Sequence, residues 1–281
     1  MPSLFPAGPE LPEFKSLLVK GAYHPSAPIH LALSHTAKFP ATQTLLITPS
    51  REAIAIALQN YNDDWLSVHS GRGRILEVAS NITVFYPPTP AHFAYLISTL
   101  SVDGQSPSLN AMTTLDRPPS LIILHELSSY FMPDASGHPW TLSSYMTLIA
   151  RTLSSLAYFS VTASETSAPP TDIALALFDS QLDSLKLPVV KHPTAPGRKL
   201  SKLENVAFFV QKYFELMAVF EEDDMFLSSS QEEEGNELTR QRRNRMHIFR
   251  SGRTEAIETH RWIEQPNLGS GGIVFDWGPS L

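Results

Sequence analysis

Ser120-Leu121-Ile122-Ile123-Leu124 is apolar at four consecutive positions and is followed at once by His125-Glu126. A run this short lacks the length of a helix, and being apolar on both faces it fits a strand covered on both sides. Short apolar runs of the same kind recur at Ser16–Val19, Thr44–Ile47, Ile82–Tyr86 and Ile173–Phe178. The segments between them have helical spacing. Pro28 opens a pattern with Ile29, Ala32, Leu33 and Thr36 on one face, closed by Pro40. Thr48-Pro49 and Thr89-Pro90 each place an N-capping hydroxyl before a proline suited to the first turn, predicting helices to about Tyr61 and Leu100. Leu142, Tyr145, Met146, Ile149, Leu153 and Leu156 mark one face of a long helix. Buried strands alternating with amphipathic helices predict an α/β fold, one domain around a mostly parallel sheet.

The remainder of the chain reads differently. Residues 1–13 are expected to be a flexible N-terminus, with the domain over 14–281. A low-complexity loop is expected over 101–118 and an acidic loop over 221–239. Leu203, Val206, Ala207, Val210, Phe214 and Met217 fall at helical spacing, predicting a helix from Leu203 to Phe220 with Phe208, Phe209 and Phe220 off its main face. Edge strands are expected at Met246–Arg250, His260–Glu264 and Gly272–Trp277. The 281 residues contain no cysteine, which excludes disulfides, thiolate zinc sites and thiol catalysis. Met1–Pro6 lacks the basic start and apolar core of a signal peptide, and no apolar stretch approaches the roughly 18 residues of a membrane span. The expected setting is a nucleus or cytosol, with no membrane partner.

In parallel α/β proteins, ligands bind beyond the carboxyl ends of the strands, so the first strand-to-helix turn is the place to test. It reads Gly21-Ala22-Tyr23-His24-Pro25-Ser26-Ala27-Pro28. A phosphate-binding loop of the G-x-x-x-x-G-K-[ST] type needs glycines for backbone approach, a lysine for the phosphates and a hydroxyl for Mg²⁺. Gly21 keeps the first glycine. Ser26 stands for the second, Ala27 for the lysine and Pro28 for the hydroxyl, and Pro28 also removes an amide donor. The apolar strand ending at Leu124 should carry a Mg²⁺-holding aspartate; His125 stands there, followed by Glu126. The expectation is a degenerate nucleotide site with neither ATP nor Mg²⁺ as cofactor, and no enzyme activity.

These segments, in this order, resemble the RecA-fold recombinase paralogues (P-loop NTPase-type domains). More narrowly, the chain resembles the ATPase-like partners of SWIM zinc-finger proteins in Shu-type complexes of homologous recombination. The resemblance is carried by Leu17–Leu33, by Phe85-Tyr86-Pro87-Pro88-Thr89 with Phe93, Leu96 and Ile97, and by Pro119–Leu124 continuing through Leu127 and Tyr130-Phe131. Ala157-Tyr158-Phe159-Ser160 and Gln211-Lys212-Tyr213-Phe214 add to it. The resemblance implies a nuclear, non-catalytic mediator that pairs with a SWIM-domain zinc-finger protein and supports recombinase filaments on single-stranded DNA in DNA repair.

Arg240, Arg242, Arg243, Arg245 and Arg250 form the candidate DNA-binding set, against a net charge of -7 for the whole chain. The alternative is a solvated arm balancing the acidic run before it. The run Arg240–Arg245 also has the composition of an import signal. Tyr86 and Trp262 are candidate stacking platforms, and Phe208, Phe209 and Phe220 the candidate partner interface. His125-Glu126 lacks the second histidine of a zinc-protease motif, the other histidines show no ligand spacing, and no metal site is expected. Two other readings stay open: a RecA-like scaffold subunit of an Elongator-type accessory complex, and a weak ATPase working through Glu126.

Overall fold

The computed structural model describes residues 2–102, 112–132, 140–165, 173–189, 202–223 and 242–277. In chain order the elements are β1 (Ser16–Gly21), α1 (Ala27–Lys38), β2 (Gln43–Ile47), α2 (Arg51–Tyr61), α3 (Asp64–His69), α4 (Gly73–Ala79), β3 (Ile82–Phe85) and α5 (Pro90–Thr99). There follow β4 (Ser101–Val102), β5 (Thr114–Leu115), β6 (Pro119–His125), α6 (Leu142–Glu165), β7 (Ala174–Asp179), β8 (Lys186–Pro188), β9 (Leu203–Asn205) and α7 (Val206–Val210). The chain closes with β10 (Leu216–Glu222), β11 (Arg242–Arg250), β12 (Glu258–Pro266) and β13 (Ile273–Trp277).

Among the described residues one nine-stranded sheet runs in the order β13-β12-β11-β10-β1-β7-β6-β2-β3. From β10 to β3 every pairing is parallel, and from β10 to β13 every pairing is antiparallel. The fold is therefore α/β around a mostly parallel sheet. Strand alternation sorts the core into two layers. Leu18, Ile122, Leu124, Leu175 and Leu177 face α5, α6 and α7, while Leu17, Val19, Leu121, Ile123, Ala176 and Phe178 face α1. Thr89 caps α5 through its hydroxyl, as the sequence predicts, whereas α2 starts at Arg51 and is capped by Ser50 instead of Thr48, whose hydroxyl lies beside His125 Nδ1.

Three expectations change. The segment 2–13 is packed rather than flexible: Leu4, Phe5 and Leu11 are buried, and Ser3 bridges Glu10. Phe5 sits within 4.6–6.0 Å, ring to ring, of His24, Phe220, Trp262, Phe275 and Trp277. Apolar burial of that size outweighs the turn-forming bias of its prolines.

The stretch 203–220 is not one helix. It is β9, the short α7, a 3-10 turn over Gln211–Tyr213, and β10. Leu216, Ala218 and Phe220 are buried on alternate positions, a period of two that a helical template catches only by coincidence. Parallel pairing of β10 with β1 fixes the extended form. The expected loop at 101–118 contains β4 and β5, which pair with each other, and β6 already begins at Pro119. Residues 103–111, and 224–239 of the expected acidic loop, lie outside the described residues; Glu221 and Glu222 belong to β10.

Candidate functional site

The carboxyl ends of β1, β6 and β7 meet beside the turn from Gly21 to Pro28, and Gly21 is fixed there by geometry. Its φ is +86°, and a Cβ in its place would lie 2.2 Å from the Phe220 carbonyl oxygen. Glycine at this position lets β1 end hard against β10, a structural demand that exists without any ligand. Tyr23 follows and turns its ring inward against Phe178, 5.4 Å away and edge-on. Its hydroxyl donates to Glu126 Oε1. Burial, then the neighbouring Glu126 carboxylate, holds the Tyr23 phenol protonated well above its usual range.

Glu126 itself takes a left-handed backbone, φ 52°. This single strained residue turns the chain from β6 into the 3-10 turn Leu127–Tyr130. Glu126 Oε1 also accepts the Ser180 amide at 3.1 Å. His125, the last residue of β6, places Nδ1 3.0 Å from the Thr48 hydroxyl, and burial lowers its pKa despite the adjacent Glu126.

Asp179 ends β7 and is fully buried. Its Oδ2 accepts the Ser128 amide (2.9 Å), the Ser128 hydroxyl (2.7 Å) and the Tyr145 hydroxyl (2.8 Å). Its Oδ1 is buried with no partner. Burial, then repulsion from Glu126, pushes this carboxyl up to about 7, the three donors opposing the rise only in part.

A second buried cluster lies under the same turn. Ser26 donates to Asp63 Oδ2 at 2.6 Å, His30 Nε2 approaches the same oxygen at 2.7 Å, and His24 Nδ1 lies 2.8 Å from the Ser26 hydroxyl. The His24 ring thus lies between the Ser26 hydroxyl and the backbone of Leu4. Burial alone would raise Asp63; the hydrogen bond and attraction of His30, the Ser26 hydroxyl and the Leu66 amide bring it below its ordinary value. His24 is held neutral, its pKa far down through burial and then repulsion from His30. The ring of Tyr61 stacks on His24 at 5.8 Å and Phe275 packs at 4.8 Å. The turn is thereby tied to the N-terminal segment, the end of α2 and β13.

Of the residues singled out in the sequence, Gly21, Ser26, Ala27, Pro28, His125 and Glu126 do converge. Ser26 is the N-terminal flank of α1, with Ala27 and Pro28 opening the helix. The arginines do not converge. Alternation along β11 puts Arg242 and Arg250 in phase with the buried Asn244, Met246 and Ile248, and Arg243 and Arg245 on the opposite face. Arg245 is paired with Glu221 at 2.7 Å. Arg240 lies outside the described residues.

The expected partner interface also divides. Phe208 is exposed and lies under Lys212 Nζ, 4.4 Å from its ring, and Phe209 packs partly on the core. Phe220 is 3% exposed, in contact with Phe5, Tyr23 and Trp262, and is core rather than interface. Trp262, a candidate platform, is likewise buried, while Tyr86 is exposed. No group of three or more metal-ligating side chains lies together among the described residues, and no described helix is long and apolar enough to cross a membrane.

Sequence reasoning missed Asp179, Tyr145, Asp63 and His30. The signal for Asp179 was present: a carboxylate closing the apolar run Ala174–Phe178 at the carboxyl end of a parallel strand. Asp63 and His30 carry no local signal, since their meeting depends on how α2 and α3 fold back over α1.

The mostly parallel sheet, with buried polar clusters at the carboxyl ends of β1, β6 and β7, places the chain in the broad α/β class. Comparison with family models and with curated proteins finds no match. Among solved structures the chain is similar to the one titled "Crystal structure of the RadB recombinase", at 10% sequence identity and a TM-score of 0.40, covering 92% of this chain and 89% of that one. The similarity is distant.

Proposed function

We propose that this chain is a RecA-like subunit that performs no nucleotide chemistry and acts as a recombination mediator in the nucleus. In this reading it pairs with a SWIM-domain zinc-finger protein and supports recombinase filament assembly on single-stranded DNA. One observation carries the reading. The place where a phosphate cradle would lie, beyond β1 and β6, is filled by the protein's own side chains: Tyr23 hydrogen-bonded to Glu126, and Ser26 committed to Asp63. The groups that converge there are carboxylates, hydroxyls and neutral imidazoles. One of them, the Glu126 carboxylate, would repel a triphosphate. The nearby cation Lys20 is engaged with Asp183 at 2.8 Å. Ala27 stands where a lysine would meet the phosphates and Lys20 is already engaged, so the site offers a triphosphate no free counter-charge, and in this reading the subunit's work is assembly.

Co-expression tests it. Stable co-purification with a SWIM-domain zinc-finger protein, and no binding of a fluorescent ATP analogue by the pair, are the expected results. Failure of the pair to associate would overturn the mediator reading. ATP turnover abolished by Glu126→Ala in a folded protein would overturn the non-catalytic one. Recovery in a ring with other RecA-like chains, with DNA-damage sensitivity unaltered by deletion, would point instead to an Elongator-type scaffold.

A further inference from the structure

Between α3 and α4 the chain reads Ser70-Gly71-Arg72-Gly73-Arg74. Glycine is scarce here, 13 in 281 residues, so two in four positions call for a reason. Most other described glycines have one in the fold, the exception being Gly269, where a Cβ would meet only Asn267 Oδ1 at 3.5 Å. Gly21, Gly252 and Gly271 take positive φ, and Gly8 and Gly272 sit where a Cβ would lie within 3 Å of neighbouring atoms. Gly71 and Gly73 have neither: their φ values are ordinary and nothing lies within 4 Å of a Cβ built on them. The fold makes no demand for glycine at these two positions. What glycine still offers is a bare backbone that something outside the chain can approach closely.

The side chains around the two glycines suit an anionic visitor. Arg72 and Arg74 are exposed and pair with no carboxylate among the described residues. The carboxylates just upstream are occupied: Asp63 is buried with Ser26 and His30, and Asp64 holds Ser270 and Asn267. From Trp65 to Leu76 the sequence carries two arginines and no acid, the exposed Glu77 following three residues after Arg74 on α4. Leading into the loop, the half-buried rings of Trp65 and His69 stack at 4.8 Å, only 15° from parallel.

We propose that the segment Trp65–Arg74 binds the phosphate backbone of a single-stranded nucleic acid. Arg72 and Arg74 take phosphates, Gly71 and Gly73 let the strand approach the backbone, and the Trp65–His69 stack offers a platform for an unstacked base. A single strand can present phosphates and a free base face together, whereas a duplex presents phosphates alone. This segment belongs to other elements than the β11 arginines, and the proposal does not depend on the mediator reading.

The test is fluorescence anisotropy of a labelled 30-nucleotide oligothymidylate with the full chain, between 50 and 200 mM salt. Arg72→Glu/Arg74→Glu is expected to weaken binding at least tenfold at the low-salt end. It should also reduce the slope of log affinity against log salt by about 1.4, the contribution of two single-strand phosphate contacts. Gly71→Ala/Gly73→Ala is expected to melt no lower than the unsubstituted protein, since each Cβ enters open space, and yet to bind more weakly. Unchanged affinity and slope in a folded Arg72→Glu/Arg74→Glu protein would overturn the proposal. So would a slope change produced by Arg243→Glu/Arg245→Glu in its place, or equal affinity for a duplex of the same length. Each of these results leaves the co-purification test above untouched, so the two readings fail separately.

Discussion

Asp179→Asn should stabilise this protein above neutral pH and remove one component of its pH dependence. The carboxyl is held at about 7 in the fold against 3.8 for an ordinary one. At 1.36 kcal/mol for each tenfold change in proton affinity, the native state then loses about 4 kcal/mol once the group is ionised. The sign follows from proton binding. Between pH 4 and 7 the folded chain keeps a proton that the unfolded chain has released, so stability falls as pH rises through that window and levels off above 7. Asparagine reproduces the neutral form: its oxygen accepts from Ser128 and Tyr145 where Oδ2 does now, and its amide takes the place of the unpartnered Oδ1. His24 and His125, both with lowered pKa, tilt the curve the other way below pH 6.5, and they do so equally in both proteins. The difference between the two proteins therefore isolates Asp179. Urea unfolding followed by tryptophan fluorescence should show the Asn variant gaining roughly 2–3 kcal/mol on the unsubstituted protein between pH 5 and pH 8. Parallel stability curves across that range would refute the argument that Asp179 is proton-loaded by burial beside Glu126.

Three further outcomes follow from the same geometry. Gly21→Ala should destabilise by more than about 3 kcal/mol, because a Cβ meets the Phe220 carbonyl and the backbone is left-handed; thermal melting of the purified variant checks it. Phe5→Ala should cost about 3–5 kcal/mol, as expected for a buried phenylalanine, and should expose Trp262 and Trp277 to an aqueous quencher. Tyr23→Phe leaves the Glu126 carboxylate short of a donor and should cost about 1–3 kcal/mol by chemical denaturation, without restoring nucleotide binding.

The parallel half of the sheet was legible because each strand there is short, apolar at nearly every position and bounded by capping hydroxyls or prolines. Ser120–Leu124 is the plainest case. The turn at Gly21 was legible too, since a missing lysine is visible in a line of letters. What filled the turn was not. Tyr23 reaches Glu126 across 103 positions and Ser26 reaches Asp63 across 37, and nothing at either end advertises the meeting. β10 was misread because Val210, Phe214 and Met217 fall at helical spacing, while the alternation of Leu216, Ala218 and Phe220 takes effect only through pairing with β1. The N-terminal segment was misread for a related reason. Its prolines announce turns, while its anchor, Phe5, is held by aromatics from the last strands of the chain.

The position of β1 carries a cost in time. Its neighbours are β7 and β10: Leu17 pairs with Ala176 on one side and with Leu216 on the other. The first strand to leave the ribosome is thus among the last to find both partners. At about 5–20 residues per second, the second partner emerges roughly 10–40 s after the first strand does. Until β7 emerges, Leu17, Leu18 and Val19 have no neighbouring strand to pair with. Protection during synthesis falls to whatever holds nascent apolar segments in the cell, and long-range parallel pairing closes slowly even after release.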